Sequence, residues 1–354
     1  MKSSHTKPKK GNGPLNLHSL DFKKWFKILL FIIPIGVVGN LLFSFSTLEK
    51  GIWDSLAFFT PRYLFLAIIL GLVPWLTNSL RIVIWTRFLG ARISLKEVLS
   101  IVLGTELGSA ISPTAIGGGY VKMGMLIQKG LKPGAAASLM TLGSVEDGVF
   151  FALAIPVAFI FSSHIEFSVL DTIWIGLQHS IFNILIVISV LVLILFILKN
   201  TPLSEIFTRL SWLEKITSAL KKMAFEFVTV YKMLGKKGKS RFALSLCLTA
   251  VQWTCRYSVI SALLACFQIP IHPVEFFLFQ WIVFTLMTFV PTPGGSVGAE
   301  AAFYFIYHAF IPRDILGIAT AGWRFLTYYF QLSLGSVIFS LLNINLIWRK
   351  KGLE

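Results

Sequence analysis

The sequence FVPTPGGSVG, at residues 289–298, interrupts an otherwise apolar stretch of the chain. Its two prolines and three glycines break a helix, because proline lacks the amide hydrogen and glycine has low helical preference. At membrane depth such a backbone is tolerated only when it is buried in protein or lines a wet cavity. We therefore interpret residues 275–311 as a re-entrant helical hairpin, whose broken tip contains Pro291, Pro293, Gly294 and Gly295.

The composition of the chain places it in a membrane. Of its 354 residues 55% are hydrophobic and only 14% are charged, whereas soluble domains contain about 25% charged residues. This excludes a soluble enzyme, a nucleic-acid-binding module and a disordered chain. Long continuous apolar runs also differ from the alternating segments of a membrane β-barrel. The chain is therefore predicted to be an all-α polytopic membrane protein.

The basic residues predict how the chain is oriented. Although the net charge is +16, 27 of the 32 Lys and Arg residues fall in five segments, at residues 1–27, 81–97, 120–133, 199–241 and 349–351. Basic segments stay on the cytoplasmic side of a membrane. We expect an inner-membrane, multi-pass protein with both termini in the cytoplasm. Its basic face is expected to attract anionic phospholipid by about 1 kcal/mol per residue.

These signals divide the chain into two membrane halves. The first half, 25–198, contains a re-entrant segment at 97–119, and the second half, 241–348, contains the one at 275–311. Full transmembrane helices, about six in all, are predicted at about residues 25–46, 61–89, 133–162, 174–198, 241–268 and 314–347. The remaining parts are cytoplasmic: a basic tail at 1–24, an amphipathic basic linker at 199–240 and a short tail at 349–354.

The two halves contain similar features at similar spacing. A second broken stretch, ISPTAIGGG at 111–119, contains Pro113, Gly117 and Gly118, and Pro113 lies 178 positions before Pro291. The same offset takes Glu146 to Arg324, and Arg81 lies 175 positions before Arg256. Because the predicted helices run in opposite directions, the halves form an inverted repeat, an architecture typical of transporters. Chance recurrence of Pro-Thr and Gly-Gly is the alternative explanation.

The broken stretches carry a family resemblance. The segment PTPGGSVGAEA, at 291–301, resembles the proline- and glycine-rich signature, ending in Glu-Ala, of the lysylphosphatidylglycerol synthase/flippase transmembrane domain family. Pro113, Gly117 and Gly118 followed by Lys122 resemble an earlier element of that family, with lysine in place of arginine. The resemblance covers about residues 25–347.

The resemblance implies that the protein moves lipids, such as aminoacylated phosphatidylglycerol, between leaflets. Fused members of the family carry a cytoplasmic aminoacyltransferase domain. We expect no synthase activity here, because these 354 residues contain no such domain. Glu146-Asp147 stands where the family has Glu-Arg followed by Asp, a departure that concerns the substrate more than the fold.

Charged residues within apolar segments are the candidate site. An unpaired charge at the bilayer centre costs at least about 2.5–3.5 kcal/mol, so each needs a partner or water. One hypothesis is that Arg256 and Arg324 bind a phosphate, with Glu146 and Asp147 as counter-charges or proton carriers. Alternatively, Glu146 pairs with Arg324 and only holds the bundle together.

Further candidates surround these four residues. Glu106 lies within Gly104-x-x-x-Gly108, a pattern of close helix packing. Glu300 either caps the helix after the second tip or contacts substrate. The glycine-rich tips can offer backbone amides to a phosphate. The full predicted set of substrate-binding residues is Arg81, Glu106, Pro113, Gly117, Gly118, Lys122, Glu146, Asp147, Arg256, Pro291, Pro293, Gly294, Gly295, Glu300 and Arg324.

These residues predict a lipid translocase for an anionic or aminoacylated phospholipid or a lipid-linked phosphate. A small-solute secondary transporter and an intramembrane enzyme acting on lipid phosphate are the alternatives. The sequence contains neither a His-Glu-x-x-His motif nor a His-x4-Asp motif. We therefore expect no enzymatic activity, no metal and no cofactor. The expected partners are membrane lipids, without nucleic acid, and a homo-oligomer is compatible with the sequence.

The predicted topology is testable by cysteine labelling. Cys247, Cys255 and Cys266 would first be replaced, and single cysteines introduced at Ser163 and Lys236. These two cysteines should react with impermeant maleimide from opposite sides of the membrane, because only the second lies in a basic segment. Labelling of both from the outside would contradict the inverted repeat.

Overall fold

The computed structural model describes residues 60–112, 116–162, 238–290 and 292–343, together with isolated helical positions at Phe225, Val228, Lys232 and Gly235. The regular elements in these parts are all helical, which confirms the predicted all-α class. The predicted N-terminal tail, the first and fourth transmembrane helices and nearly all of the 199–240 linker fall outside them.

The helices begin and end close to the predicted positions. In chain order they are α1 (Pro61–Phe88), α2 (Leu95–Ala110), α3 (Ile116–Gln128), α4 (Pro133–Phe161), α5 (Lys239–Cys266), α6 (Pro273–Met287), α7 (Gly298–Tyr307), α8 (Arg313–Arg324) and α9 (Phe330–Leu342). A 3₁₀ turn at Pro293–Gly295 precedes α7, and a π-helical turn at Phe325–Tyr329 joins α8 to α9.

The helix starts follow from local sequence. Proline occupies the beginning of α1, α4 and α6, where its missing amide hydrogen has no intrahelical partner to lose. At the start of α2, Ser94 Oγ accepts a hydrogen bond from the amide of Glu97 at 3.3 Å, and the amide of Ser94 donates to Glu97 Oε2 at 3.0 Å. This reciprocal capping box fixes where α2 begins.

Within the described parts of the chain, three helical stretches are long and apolar enough to cross a membrane: α1, α4 and the continuous run Arg313–Leu342 formed by α8, the π-helical turn and α9. Helix α5, predicted to span at 241–268, is not among these three candidates. Its 28 residues reach about 42 Å, but Gln252, Arg256 and several Ser and Thr residues lower its hydropathy. This helix instead supplies polar groups to the protein interior.

Helices α2 and α3 form a closely packed helical hairpin. A Cβ atom on Gly108 would lie 2.8 Å from Val121 Cγ2, and one on Gly118 would lie 2.6 Å from the carbonyl oxygen of Thr105. Only glycine permits this approach of two helix backbones. At the other end of the hairpin, Lys129 Nζ lies 2.6 Å from Glu97 Oε1, so the first turn of α2 and the end of α3 are adjacent.

The first hairpin is longer than the predicted segment 97–119. Its second arm, α3, extends to Gln128. The glycines at 117–119, expected in a loop, lie inside α3 because the helix packs against α2 and gains contacts that compensate for their low helical preference. The break in the backbone is therefore shorter than predicted and falls between Ala110 and Ile116.

The second hairpin consists of α6, the 3₁₀ turn and α7, and it occupies Pro273–Tyr307 against the predicted 275–311. Gly294 and Gly295 adopt positive φ angles of 63° and 66°. A Cβ atom on Gly294 would also collide with the ring of Tyr328. The tip therefore requires glycine at position 294 for both its conformation and its packing.

Two hydrophobic cores of the described residues each contain side chains from both halves of the chain. One core contains residues of α1 to α4, but Leu332 and Phe339 of α9 also pack into it. The other contains residues of α5 to α8, and Ala67 of α1 packs into it. Helices α1 and α5 lie against each other along their length. Each half thus contributes an element to the core of the other, which positions charged groups from both halves near the centre.

The hairpin packing predicts opposite effects for two adjacent glycines. Gly118→Ala should lower the thermal unfolding midpoint in detergent, because the new methyl group meets Ser109 and Thr105 and overpacking costs about 1–3 kcal/mol. Gly119→Ala is the matched control, since its methyl group would approach only Met140 Cε, at 3.7 Å. The control should unfold at the same or a higher temperature. Equal midpoints for the two variants would contradict the close packing.

Candidate functional site

A cavity of about 240 Å³ lies where the second hairpin tip meets α2, α5 and α9. Its walls are mainly apolar and include Trp75, Phe284 and Leu332. The polar groups that face it come from both halves of the chain, and they include Glu106, Arg256, Arg324, Gly294 and Gly295. A small apolar cavity with a few convergent polar groups is the usual form of a ligand site.

Arg324 is buried in the wall of this cavity, with 1% of its surface exposed. Its Nε lies 3.0 Å from Glu300 Oε1, and its Nη2 donates a hydrogen bond to the carbonyl oxygen of Gly294. The ring of Tyr328 covers the guanidinium at 4.2 Å. Glu300 Oε2 has no hydrogen-bond partner within the described part of the chain. Glu300, Gly294, Arg324 and Tyr328 are called the Arg324 centre below.

The Arg324 centre joins the tips of both hairpins. Gly294 belongs to the second tip, and Tyr328 Oη donates a 3.1 Å hydrogen bond to the carbonyl oxygen of Ala110, the last residue of α2. Tyr328 belongs to the π-helical turn that follows Arg324. Such turns in otherwise regular helices occur frequently at functional sites. Tyr328 and Arg324 thus connect the end of α2 with the second hairpin tip.

Arg256 and Glu106 form a loose pair across the same cavity. Their closest charged atoms, Arg256 Nη1 and Glu106 Oε1, are 3.9 Å apart. Their side chains are 23% and 38% exposed, and neither makes a hydrogen bond in the parts that the structure describes. The rings of Trp253 and Phe284 lie 5.8 and 5.5 Å from the Arg256 guanidinium and hold it by cation–π attraction. These two charges are available to a ligand.

A second buried centre forms around Arg81. Its Nη2 donates to Glu146 Oε2 at 2.8 Å and lies 3.1 Å from Asp147 Oδ1. Its Nη1 donates to Gln252 Oε1 at 3.0 Å. Trp85 Nε1 donates to Glu146 Oε1 at 2.7 Å, and Trp253 Nε1 donates to Asp147 Oδ1 at 3.0 Å. These residues, the Arg81 centre, do not line the cavity.

Lys122 lies near the Arg81 centre without joining it. It is half-buried on α3 and interacts electrostatically with Glu146, Asp147 and Glu106. Among the described residues no carboxylate lies within ion-pair distance of it. Arg81, which contacts both Glu146 and Asp147, is therefore the cation paired with these carboxylates in the described part of the chain.

The structure corrects the predicted partner of Glu146. Glu146 binds Arg81, and Arg324 pairs with Glu300. The predicted Glu146–Arg324 pair is therefore wrong for this structure. The reason is that Glu300, in the first turn of α7 after the second tip, lies against Arg324, whereas Arg81 on α1 lies against Glu146 of α4. Equivalent positions in a repeat do not have to touch.

The glycines of the first tip pack between helices, whereas those of the second tip line the cavity. Gly117 and Gly118 permit close packing of α3 on α2, and the Gly117 amide is already bonded to Ser112 Oγ at 2.8 Å. This amide is therefore not free to bind a phosphate, contrary to the prediction. Gly294 and Gly295 do face the cavity. Pro113 and Pro291 lie outside the described residues, and Pro293 begins the 3₁₀ turn.

Glu300 does not act as the predicted helix cap. It lies in the first turn of α7, where a carboxylate is favoured, but its contact is the ion pair with Arg324. Val297, the residue before α7, makes no side-chain cap and has a φ of 72°, which is strained for a β-branched residue. This strained position directly follows the tip that lines the cavity.

Four polar or aromatic residues of these centres were not predicted, and one of them is Trp253, which donates to Asp147. Trp85, Gln252 and Tyr328 bind charged partners in the Arg81 and Arg324 centres. Each is four positions from a predicted arginine: Arg81, Arg256 and Arg324 respectively. That spacing places side chains on one face of a helix. A polar or aromatic residue four positions from a predicted arginine is therefore the sequence signal that could have identified Trp85, Gln252 and Tyr328.

The sequence matches a known protein family over most of its length. The family model "Lysylphosphatidylglycerol synthase TM region" matches residues 25–335. The chain belongs to this family. It is also 26% identical over 321 residues to a UPF0104 membrane protein of Archaeoglobus fulgidus, and the match covers 86% of this chain and 94% of that protein. The resemblance drawn from the motifs is thus confirmed, and the protein is a membrane protein.

The observed pairing predicts the outcome of two double-mutant cycles. Arg81→Gln and Glu146→Gln should each destabilise the protein, by up to about 3–5 kcal/mol, because each leaves a buried charge without its partner. The double variant should lose less than the sum of the two, which reversible unfolding in detergent measures.

The matched cycle combines Glu146→Gln with Arg324→Gln. These losses should add to within about 0.5 kcal/mol, since the two residues have different partners. Coupling in this second cycle, with additivity in the first, would contradict the observed arrangement.

Proposed function

We propose that this protein is a lipid translocase that moves an anionic or aminoacylated phospholipid, or a lipid-linked phosphate, between the leaflets of the cytoplasmic membrane. The observation that carries the proposal is the cavity into which Arg256, Glu106 and the Arg324 centre project. A headgroup cannot cross hydrocarbon unaided, because its charge loses its hydration. Charged groups from both halves of the chain supply a polar site for it.

The size of the cavity supports a lipid headgroup as the ligand. A volume of about 240 Å³ is smaller than the roughly 300–1,000 Å³ of pockets that enclose a drug-sized molecule. It accommodates a phosphate-bearing headgroup but not two acyl chains. The chains therefore remain in the bilayer during transfer, which distinguishes this mechanism from the enclosed passage of a small solute.

The chemistry of the two cavity arginines supports a phosphate as the recognised group. A guanidinium presents several donors in a planar fork that matches phosphate oxygens. The pair between Arg256 and Glu106 is long, so a phosphate can replace Glu106 at Arg256 without breaking a short hydrogen bond. Arg324 is held by Glu300 and Gly294, and it orients the tip that forms the cavity wall.

The proposed topology is an inverted repeat with about six full spans and two re-entrant hairpins. The Lys129–Glu97 contact supports re-entry of the first hairpin, because it places both ends of that hairpin together. The meeting of both tips at Arg324 and Tyr328 supports placement of the site between the halves. Both termini are proposed to be cytoplasmic, and the basic face to contact anionic phospholipid.

The translocase activity is testable with purified protein in liposomes. The protein should accelerate leaflet exchange of a tail-labelled fluorescent phospholipid, measured by chemical quenching of the outer leaflet. Arg256→Gln should slow this exchange by about tenfold or more, the effect of losing a hydrogen bond to a charged group. Arg241→Gln is the matched control, because Arg241 is exposed on the same helix and does not line the cavity.

The proposal fails if exchange is no faster than in empty liposomes. Zwitterionic, anionic and polyprenyl-phosphate lipids are all to be compared, with and without a proton gradient. Absence of exchange for every lipid would favour a small-solute transporter.

A further inference from the structure

The charged residues at the centre of the protein are paired to very different degrees. The closest oppositely charged atoms are 2.8 Å apart in the Arg81 centre and 3.0 Å apart in the Arg324 centre. Arg256 Nη1 and Glu106 Oε1 are 3.9 Å apart. Apart from Asp147, Arg256 and Glu106 have the most exposed side chains among the paired charged residues of these centres. Among the residues that the structure describes, this pair alone offers both an open positive charge and an open negative charge to the cavity.

The net charge of the cavity is balanced before a ligand enters. Arg256 balances Glu106, and Arg324 balances Glu300. Lys122 also interacts with Glu106 electrostatically, but it does not line the cavity and lies outside ion-pair distance of Glu106. A ligand with a net charge would therefore disturb a neutral site.

Phosphate binding at Arg256 has a consequence for Glu106. Once a phosphate oxygen takes the guanidinium, Glu106 loses its nearest counter-ion at membrane depth, where an uncompensated carboxylate is costly. Either a proton or a cation must then neutralise Glu106. A headgroup that carries its own ammonium group a few bonds from the phosphate supplies that cation within the same cavity.

We infer that the cavity selects a zwitterionic headgroup, with its phosphate on Arg256 and a primary ammonium on Glu106. This inference rests on the proposed translocase function, and it replaces the anionic lipids named there with zwitterionic lipids as the preferred substrate class. A primary ammonium donates hydrogen bonds to the Glu106 carboxylate, and the aromatic rings of Trp253 and Phe284 hold Arg256 in place to receive the phosphate. The ligand replaces one ion pair with two and leaves the site neutral.

The test compares two lipids of similar headgroup size in the same liposome assay. Tail-labelled phosphatidylethanolamine is zwitterionic, and tail-labelled phosphatidylglycerol is anionic. The unaltered protein should exchange phosphatidylethanolamine about tenfold faster at neutral pH, since only this lipid gives Glu106 a charged hydrogen-bond partner.

The Glu106→Gln variant tests whether Glu106 causes the preference for phosphatidylethanolamine over phosphatidylglycerol. Glutamine keeps the shape of the side chain but removes its charge, so the ratio of the two rates should fall about tenfold, with slower phosphatidylethanolamine and faster phosphatidylglycerol exchange. Glu97→Gln is the matched control on the same helix. It keeps the capping box, in which glutamine also serves, and should leave the ratio unchanged.

Each result decides a different point. Equal or faster exchange of phosphatidylglycerol by the unaltered protein overturns the inference while the translocase proposal stands. A preference for phosphatidylethanolamine that survives in Glu106→Gln overturns the role of Glu106. Exchange of neither lipid above that of empty liposomes overturns the proposed function together with the inference. The comparison in the unaltered protein is decisive even if Glu106→Gln fails to fold.

Discussion

The structure depends on the need to pair guanidinium groups at membrane depth. Arg324 is 1% exposed and Arg81 is 4% exposed, and arginine does not lose its charge by deprotonation under physiological conditions. Each must therefore be surrounded by carboxylates and carbonyl oxygens, or the fold is destabilised by the uncompensated charge. Glu300 and Gly294 meet this need for Arg324, and Glu146 with its neighbours meets it for Arg81. The positions of the hairpin tip and of α4 follow from these pairs.

The glycine residues make that pairing geometrically possible. Backbone atoms of α2 and α3 approach so closely that a side chain on Gly108 or Gly118 would collide with the neighbouring helix. At the second tip, the absence of a side chain on Gly294 leaves room for Tyr328, which bridges to the end of α2. Small residues thus allow backbone groups such as the Gly294 carbonyl to contact Arg324. The two hydrophobic cores, which contain residues from both halves, fix the positions of the helices.

The charged centres differ in how tightly their ions are paired. The Arg81 centre is closed, because its guanidinium donates to three different residues and lies outside the cavity. The Arg256–Glu106 pair is open and faces the cavity with both charges. A protein that moves a charged ligand needs both kinds of pair: tight pairs to keep the fold, and a loose pair that exchanges partners. The Arg324 centre combines the two properties, since it is tightly paired and also forms part of the cavity wall.

The sequence by itself determined the helical class, the membrane setting, the two broken stretches and nearly all the ionisable residues of the site. These features follow from composition and local chain chemistry, which do not depend on distant contacts. The partner of each charge was decided only by the tertiary structure. Glu146 and Arg324 occupy equivalent positions 178 residues apart, yet each binds a different residue, because ion pairing depends on which helices cross within a few ångströms. The spacing of residues along the chain does not determine the distance between helices that cross in the folded structure.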